Sequence, residues 1–400
     1  MYNKTKINGY LRIFMNNYIN RLKVLRNLES NRLVYSLLEY SVKKSPEAYN
    51  DLLYEIYAAG AETCLSATVQ SAVLHDINAF STACAKGGTV SEYLRQAYLD
   101  DLHIISDALS QFNGDTDFSL GEPLQGFNCP GQLLADNLEL FYRNYGYGQF
   151  IDGKAFEYQG GGFLPISGTA DITLSKLKNY ASEKAVIENN VKNFLEGLPF
   201  SHMLLYGDRG TGKSSTVHAM LNAYSDSGLR LIELDKSQLP SVKEIKQQVA
   251  PLPLKFILFI DDLTLDEQDD KTSALKSAIE GSFVDSNNVM VVATSNRRHV
   301  IKEKFSDRDN SVHPADSIEE QLSLSDRFGI TVMFSSTDRA EYLSIVNQLA
   351  ADLKLTTPKK QLEALAERWA IVNGGRSPRR AKQFTDFVYS CERSGRALEF

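Results

Sequence analysis

Residues 207–214 read Gly-Asp-Arg-Gly-Thr-Gly-Lys-Ser, and this run constrains the chain more than any other feature. It fits the pattern GxxxxGK[ST], in which glycines let the backbone curl so that N–H groups approach phosphate oxygens. A helix expected from Lys213 onward points its positive N-terminal end at the same anion. The run therefore predicts a nucleotide site, with Lys213 reaching the β- and γ-phosphates and the Ser214 hydroxyl binding Mg²⁺.

The sequence around this glycine loop supports the phosphate site. A strand over Met203 to Tyr206 is predicted to lead directly into the loop, and a helix is predicted to follow it. We expect bound ATP to contact Gly207, Asp208, Arg209, Gly210, Thr211, Gly212, Lys213, Ser214 and Ser215.

A second feature is the apolar run Phe256 to Ile260, which is followed by Asp261 and Asp262. A buried strand that ends in an acid delivers a carboxylate to the edge of a parallel sheet where the phosphates also lie. Asp261 is predicted to hold Mg²⁺ through its water shell, and Asp262 to act as the general base toward the attacking water. Alone this pattern is common, but its position after the glycine loop favours ATP hydrolysis.

Strands and helices are predicted to alternate over residues 172–336, which indicates a parallel sheet covered on both faces. The first helix is predicted over residues 174–195, and another over residues 272–280. Beyond Thr337 the pattern is helical only. We therefore predict an α/β nucleotide-binding core followed by a three-helix lid over residues 337–400.

The part before the core is of two kinds. Residues 1–112 are predicted to form amphipathic helices, with apolar residues at helical spacing in runs such as Leu33, Val34, Leu37 and Leu38. Residues 113–171 contain glycine–aromatic clusters, including Gly160-Gly161-Gly162-Phe163, and few helix formers. A flexible joint between domains is the favoured interpretation of these glycines, with a binding loop as the alternative.

Composition sets wider limits. The 400 residues suffice for two or three domains. The chain has 43 basic and 50 acidic residues, and this acidic balance argues weakly against a surface specialised for binding nucleic acid or an anionic membrane. Four widely spaced cysteines without a CxxC pair (Cys64, Cys84, Cys129 and Cys391) indicate reduced thiols. No signal peptide pattern and no apolar stretch of the roughly 20 residues that cross a bilayer occur, so a cytoplasmic location without membrane contact is predicted.

The glycine loop, the strand ending in Asp-Asp and the helical C-terminal part resemble the AAA+ ATPases. Three runs, over residues 204–215, 293–299 and 322–329, more closely resemble a bacterial AAA+ family of unknown function. The resemblance covers roughly residues 140 to 400. The N-terminal helices lie outside it.

The resemblance implies further roles. Asn296 occupies the sensor 1 position, where a polar side chain orients the attacking water. Arg327 resembles the arginine finger, which reaches the ATP of a neighbouring subunit and offsets charge in the transition state. Arg379 resembles the sensor 2 arginine of the lid, with Arg376 as the alternative. Tyr180 is the candidate for the adenine contact, although a tyrosine packed in the core fits the sequence equally well.

Two departures from the AAA+ pattern qualify the resemblance. AAA+ enzymes commonly carry Asp-Glu where this chain has Asp261-Asp262, and the shorter arm predicts slow hydrolysis. Residues 235–241 contain no aromatic side chain of the kind that protein-threading machines place there, which argues against threading. A small basic run over residues 297–304 suits a solvated loop better than a contact with nucleic acid or a partner.

Three functions remain open from the sequence. The first is a homo-oligomeric AAA+ ATPase, in a ring or partial ring, that remodels a macromolecular partner recruited by the N-terminal helices. The second is a DNA-linked ATPase similar to initiators or helicase loaders. The sequence contains no recognisable DNA-binding module, and its acidic charge balance argues against this function. The third is a nucleotide-dependent switch that binds ATP and hydrolyses it slowly.

Overall fold

A computed structural model describes residues 22–115, 131–168, 172–263, 265–266, 275, 279, 287–296, 301–302 and 327–398. The predicted helix over residues 272–280 and the basic run over residues 297–304 lie almost wholly outside these residues, as does Cys129. The chain divides into two compact units: Met1–Asp152 with Pro251–Leu254, and Gly153–Ala250 with Lys255–Phe400.

The first unit is helical, as predicted. Its α-helices are α1 (Arg32–Lys43), α2 (Pro46–Ala58), α3 (Leu65–His75), α4 (Ala79–Ala85), α5 (Glu92–Asp115) and α6 (Gly131–Tyr145). Leu33, Val34, Leu37 and Leu38 are all buried in one continuous apolar core, which confirms the helical spacing on which the prediction rested. Burial of such side chains is the main favourable contribution to the stability of a unit of this kind.

A fully buried carboxylate anchors the chain where it enters this unit. Asp101, on α5, accepts hydrogen bonds from the backbone N–H groups of Lys23, Val24 and Leu25 at 2.7–3.0 Å. Bonds to a charged acceptor are stronger than neutral ones. They hold Leu22 and Leu25 in the apolar core, where both are buried.

Replacing Asp101 with alanine is therefore expected to destabilise the helical unit. The change leaves three backbone donors without their acceptor, and we expect the free energy of unfolding to fall by about 3 kcal/mol. Urea denaturation followed by circular dichroism measures this loss. Asp107→Ala, at an exposed position of the same helix, is the matched control and should stay within about 0.5 kcal/mol of the wild type. Equal stability of the two variants would contradict the anchoring role.

The second unit is built on a seven-stranded sheet. Its strands are β1 (Ala155–Gln159), β2 (Gly162–Pro165), β3 (Met203–Gly207), β4 (Leu229–Glu233), β5 (Lys255–Ile260), β7 (Val289–Ser295) and β9 (Ile330–Phe334). Their order is β2-β1-β4-β5-β7-β3-β9, and every neighbouring pair is parallel except β1 with β2. Two short strands, β6 (Leu265–Asp266) and β8 (Ile301–Lys302), form a separate parallel pair. The predicted parallel sheet is confirmed.

Helices pack on the sheet and follow it. They are α7 (Ala181–Leu195), α8 (Lys213–Tyr224), α9 (Val242–Val249), and then α10 (Arg339–Asp352), α11 (Lys359–Val372) and α12 (Pro378–Ser394). The last three share a small apolar core of their own, to which Tyr342, Leu362 and Phe384 contribute. This is the predicted three-helix lid.

Three local predictions were wrong. Residues 113–171 are not a connector with few helix formers throughout, because α6 (Gly131–Tyr145) lies among them and belongs to the first unit. The helix predicted from residue 174 begins only at Ala181, because Asn179 and Tyr180 adopt left-handed backbone angles (φ 69° and 55°) that a helix cannot contain. The glycines of residues 160–162 do not form a flexible joint. Gly160 and Gly161, both with positive φ, make the tight turn between β1 and β2, which extend the core sheet.

A partly buried histidine, His202, directly precedes β3, and its protonation opposes folding. Nδ1 of His202 accepts the backbone N–H of Val291 at 3.1 Å, which requires an unprotonated nitrogen. Burial, with a smaller contribution from the nearby Lys246 ammonium, lowers the pKa of His202 to about 4. In the unfolded chain the pKa is about 6.5. Stability is therefore complete above pH 6.5 and is lost as the pH falls toward 4, because only the unfolded chain takes up the proton readily.

We expect His202→Gln to remove this pH dependence, since glutamine keeps an acceptor but does not titrate. Between pH 7 and pH 4.5 the wild type should lose about 2 kcal/mol more unfolding free energy than the variant, in agreement with the lowered pKa. Chemical denaturation of both proteins at the two pH values measures the difference. Parallel loss of stability in the two proteins would exclude His202 as its source.

Candidate functional site

The glycine loop joins β3 to α8 through backbone angles that favour glycine. Gly207, Gly210 and Gly212 have φ values of 131°, 80° and 100°. A Cβ atom at Gly207 would lie 2.0 Å from the carbonyl oxygen of Phe334, so a side chain there would push β9 away. The loop thus exposes backbone N–H groups at the start of α8, as the sequence predicts for a phosphate site.

Lys213, the first residue of α8, lies within this loop. Its ammonium donates to the carbonyl oxygens of Gly207 and Asp208, each at 2.8 Å, and lies 3.4 Å from Oδ1 of Asn296. Burial lowers the pKa of Lys213, while the surrounding carboxylates of Asp261 and Asp208 oppose this shift. A cation that is desolvated in this way gains from an anionic ligand more than an exposed lysine would.

The two acids after β5 have different partners. Ser214 and Thr294 both donate hydroxyl hydrogen bonds to Oδ1 of Asp261, at 2.6 and 2.5 Å. Asp262 instead accepts a hydrogen bond at 2.6 Å from the side-chain amide of Asn296. Asp262 also has a left-handed backbone (φ 49°), which ends the extended conformation of the strand.

These residues surround one cavity of about 380 Å³. It brings together most of the predicted phosphate, metal and catalytic residues: Arg209, Gly210, Gly212, Lys213, Ser214, Ser215, Asp261, Asp262, Asn296 and Arg379, with Thr294 in addition. Sequence reasoning did not identify Thr294. Its only signal in the sequence is its place two residues before Asn296 at the end of a buried strand.

The donor chemistry of this cavity fits Mg²⁺ with a nucleotide. The Ser214 hydroxyl and the Asp261 carboxylate are hard oxygen ligands of the kind that Mg²⁺ takes together with substrate phosphates. Within the described parts of the chain, no group of three or more His, Cys, Asp or Glu side chains could hold a metal ion. Ser214 and Asp261 together leave coordination positions of Mg²⁺ for phosphate oxygens and waters.

A second cavity, of about 260 Å³, adjoins the other side of the loop. It is lined by residues of the segment before α7, by the loop and by the lid, among them Leu177, Tyr180, Gly210, Ile345, Leu349 and Arg379. The Tyr180 ring is buried against Phe334, at 5.0 Å between ring centroids, and its hydroxyl donates to the carbonyl oxygen of Ser335 at 2.6 Å. Tyr180 is therefore held in the core while it also borders this cavity.

The lid places one of its two candidate arginines at the loop. The Ser377 side chain and Pro378 start α12, so Arg379 lies in its first turn, and its backbone N–H donates to the carbonyl oxygen of Gly210 at 3.1 Å. Arg379 borders both cavities. Arg376 instead forms an ion pair with Glu367 at 2.7 Å. The geometry thus favours Arg379 over Arg376 as the arginine near the phosphates.

Arg327 lies before the amino-terminal end of β9, whereas the glycine loop follows the carboxyl end of the neighbouring strand β3. Ile330 is paired with Met203 and Phe334 with Gly207, so β9 runs toward the glycine loop and Arg327 precedes its first residue. Four residues of strand separate Ile330 from the level of Gly207, which is about 13 Å at the usual rise. Arg327 is therefore not brought to the phosphate cavity of its own chain.

The family described as a protein of unknown function, DUF815, matches residues 152–391. The chain belongs to this family. The mostly parallel sheet, the glycine loop and the three C-terminal helices form the architecture that the resemblance to AAA+ ATPases implied. No curated protein matches the chain.

Three solved structures illustrate how similar the DUF815 chain is to proteins of known structure. The Thermotoga maritima RuvB Holliday junction branch migration motor has a TM-score of 0.41 and 18% identity, over 57% of this chain and 68% of that one. The Aeropyrum pernix ORC1 protein in complex with DNA has a TM-score of 0.41 and 15% identity, over 58% and 64%. The FIGL-1 AAA domain in complex with ADP has a TM-score of 0.37 and 18% identity, over 57% and 75%.

The search for membrane-spanning segments concerns the described residues alone. Among them, no helix combines the length and the apolar character that crossing a bilayer requires.

Proposed function

We propose that this DUF815 protein binds Mg-ATP and hydrolyses it, and that it works as an oligomer to remodel a macromolecular partner. The observation that carries the proposal is the convergence of Lys213, Ser214, Asp261, Asp262 and Asn296 on one cavity. These side chains supply a cation for the phosphates, oxygen ligands for a metal, a base and a polar group to orient water. Mg²⁺ bound there would neutralise charge that develops on the phosphates.

The two adjoining cavities support an orientation for the nucleotide. The phosphates would lie in the cavity around Lys213, and the base would enter the cavity bordered by Leu177, Tyr180 and the lid. Tyr180 would border the base while its ring remains in the core. Arg379 lies between the two cavities, where its guanidinium could contact the phosphates as a sensor 2 arginine does.

The position of Arg327 supports assembly. At the amino-terminal edge of the sheet it is remote from the phosphates of its own chain, and an arginine finger supplied to a neighbouring subunit is the use that the AAA+ resemblance implies. A homo-oligomer, closed or partial, would then complete each active site with Arg327 of the adjacent copy. The helical unit of residues 22–152 would recruit the protein partner.

The composite site can be tested by mixing two inactive variants. Lys213→Ala lacks the phosphate cation, and Arg327→Ala lacks the trans-acting guanidinium, so each alone should hydrolyse ATP on the order of 100-fold more slowly. In an equimolar mixture, some interfaces pair an intact Lys213 with an intact Arg327. Phosphate release from the mixture should then recover to on the order of a quarter of the wild-type rate.

Arg393→Ala, at an exposed position near the end of the lid, is the matched control and should behave as the wild type. Size-exclusion chromatography with light scattering shows whether the variants still assemble. A mixture no more active than its components, although both assemble, would overturn the shared active site. Wild-type activity of Arg327→Ala would overturn it equally.

A cytoplasmic location is part of the proposal. The thiols of Cys64, Cys84 and Cys391 are free, and the last two are buried. Burial raises the pKa of the Cys84 thiol to about 12, so it behaves as an inert apolar group. Unpaired and unreactive thiols of this kind are common in proteins of a reducing compartment.

A further inference from the structure

Thr294, near the end of β7, contacts both acids of the proposed active site through one hydroxyl. Its side chain is 98% buried, with a relative exposure of 2%. Oγ1 donates to Oδ1 of Asp261 at 2.5 Å and accepts the backbone N–H of Asp262 at 2.9 Å. Because a hydroxyl has one hydrogen and two lone pairs, these two bonds assign its donor and acceptor roles without conflict.

The register of the sheet explains why this residue can do so. The last pair between β5 and β7 joins Ile260 with Ala293, so Thr294 is opposite Asp261. Beyond that pair the chain turns at Asp262, and the N–H of Leu263 returns to the carbonyl oxygen of Thr294 at 2.7 Å. The Thr294 hydroxyl thus accepts the Asp262 N–H, which a backbone carbonyl oxygen would accept if the strand pairing continued.

The backbone of Asp262 makes this support necessary. Its φ of 49° is an uncommon conformation for a residue other than glycine and persists only where the surroundings hold it. The bond from its N–H to Thr294 holds the main chain, while the Asn296 amide holds the carboxylate. Thr294 and Asn296 therefore fix different parts of the same acid.

Ser214 and Thr294 share one acceptor oxygen, but their roles differ. On binding Mg²⁺, a lone pair of the Ser214 hydroxyl would face the metal, while its hydrogen stays available to Asp261. Thr294 instead bonds to the Asp262 N–H on one side and to Asp261 on the other, so it links the two acids.

We propose that Thr294 is a positioning residue that directs Asp261 toward Mg²⁺ and Asp262 toward the attacking water. The inference rests on the proposed function and deepens it. A carboxylate held by a fixed donor reaches the metal in one orientation, and small losses of such orientation reduce rates strongly. The bond to the Asp262 N–H couples the direction of the base to that of the metal acid.

The test replaces Thr294 with valine, which has the same shape without the hydroxyl, and with serine, which keeps it. For Thr294→Val we expect kcat to fall about 10- to 100-fold and the Mg²⁺ concentration for half-maximal activity to rise several-fold. ATP affinity in EDTA should stay the same, because Thr294 does not hold the phosphates. Thr294→Ser should recover most of both losses.

Thr385→Val is the matched control, because it removes another buried threonine hydroxyl, which donates to the carbonyl oxygen of Lys382 in the lid. It should leave the Mg²⁺ dependence unchanged. Wild-type kcat and Mg²⁺ dependence in Thr294→Val would overturn the inference, as would a serine variant no better than the valine variant. If the wild type binds ATP without turnover, hydrolysis is refuted as the function. The inference is then tested by the gain in ATP affinity on adding Mg²⁺. A smaller gain in Thr294→Val than in the wild type supports it, and an equal gain contradicts it.

Discussion

Replacing Lys213 with alanine is expected to weaken ATP binding on the order of 100-fold, about 2.7 kcal/mol. The Lys213 ammonium is buried inside the glycine loop and held by two carbonyl oxygens at 2.8 Å. Because burial lowers its pKa, the charged form is under-solvated and gains strongly when phosphate oxygens arrive. Titration of a fluorescent ATP analogue in the presence of Mg²⁺ measures the loss.

Lys192→Ala provides the comparison. Lys192 is on α7 of the same unit, at the surface, where it pairs with Glu188 four residues earlier at 2.9 Å. Its removal should change ATP affinity less than twofold. Circular dichroism of both variants separates loss of the cation from loss of the fold. Equal affinity of Lys213→Ala and the wild type would refute the assignment of this loop as the phosphate site.

Replacing Asp262 with asparagine is expected to lower turnover about 10²- to 10⁴-fold while ATP binding stays within threefold of the wild type. An amide cannot accept the proton of the attacking water. Asparagine tolerates the left-handed backbone at this position, and its oxygen can still accept the hydrogen bond from Asn296. The variant therefore removes the base with little change in the geometry of the site. Single-turnover phosphate release, with ATP in place before Mg²⁺ is added, measures the chemical step.

Asp262→Glu distinguishes the charge of the base from its length. It keeps the carboxylate and lengthens the arm, so we expect turnover to be retained. A glutamate variant as slow as the asparagine variant would indicate that the short arm, held by Asn296, is needed for the geometry. Turnover by Asp262→Asn at the wild-type rate would show that another group acts as the base.

The sequence predicted those parts of the fold that depend on local pattern. The apolar spacing of Leu33, Val34, Leu37 and Leu38 marks the buried face of α1, and the glycine loop lies between a strand and a helix as its motif requires. The acid pair follows the apolar run of residues 256–260 in β5, and such a run is typical of a strand at the centre of a parallel sheet. Each of these features can be recognised from a few neighbouring residues.

Features that depend on distant partners could not be predicted. Strands β1 and β2 are only five and four residues long, and their glycine turn resembles a flexible joint until β1 pairs with β4. Glu367, nine residues earlier on α11, pairs with Arg376, and this pairing favours Arg379 as the lid arginine near the loop. Thr294 gains its role only from the register of β5 with β7. No local pattern contains these contacts.

Tyr180 shows how the same limit affects a site residue. Its place before the first core strand suggested an adenine contact, and burial in the core was an equal alternative. The left-handed backbone at Asn179 and Tyr180 ends the preceding segment, directs the ring onto Phe334 and leaves Tyr180 at the rim of the second cavity. Neither backbone angle could be anticipated, because both residues are ones that usually avoid or only tolerate this conformation.

Phosphate release from Mg-ATP shows whether ATP is hydrolysed at the cavity around Lys213. The rate should be followed for the purified wild type and for Lys213→Ala over a range of protein concentrations. We expect steady release by the wild type, with a specific activity that rises as subunits assemble, and near-complete loss in the variant. No release by the wild type at any concentration, or equal release by both proteins, would contradict hydrolysis at this site.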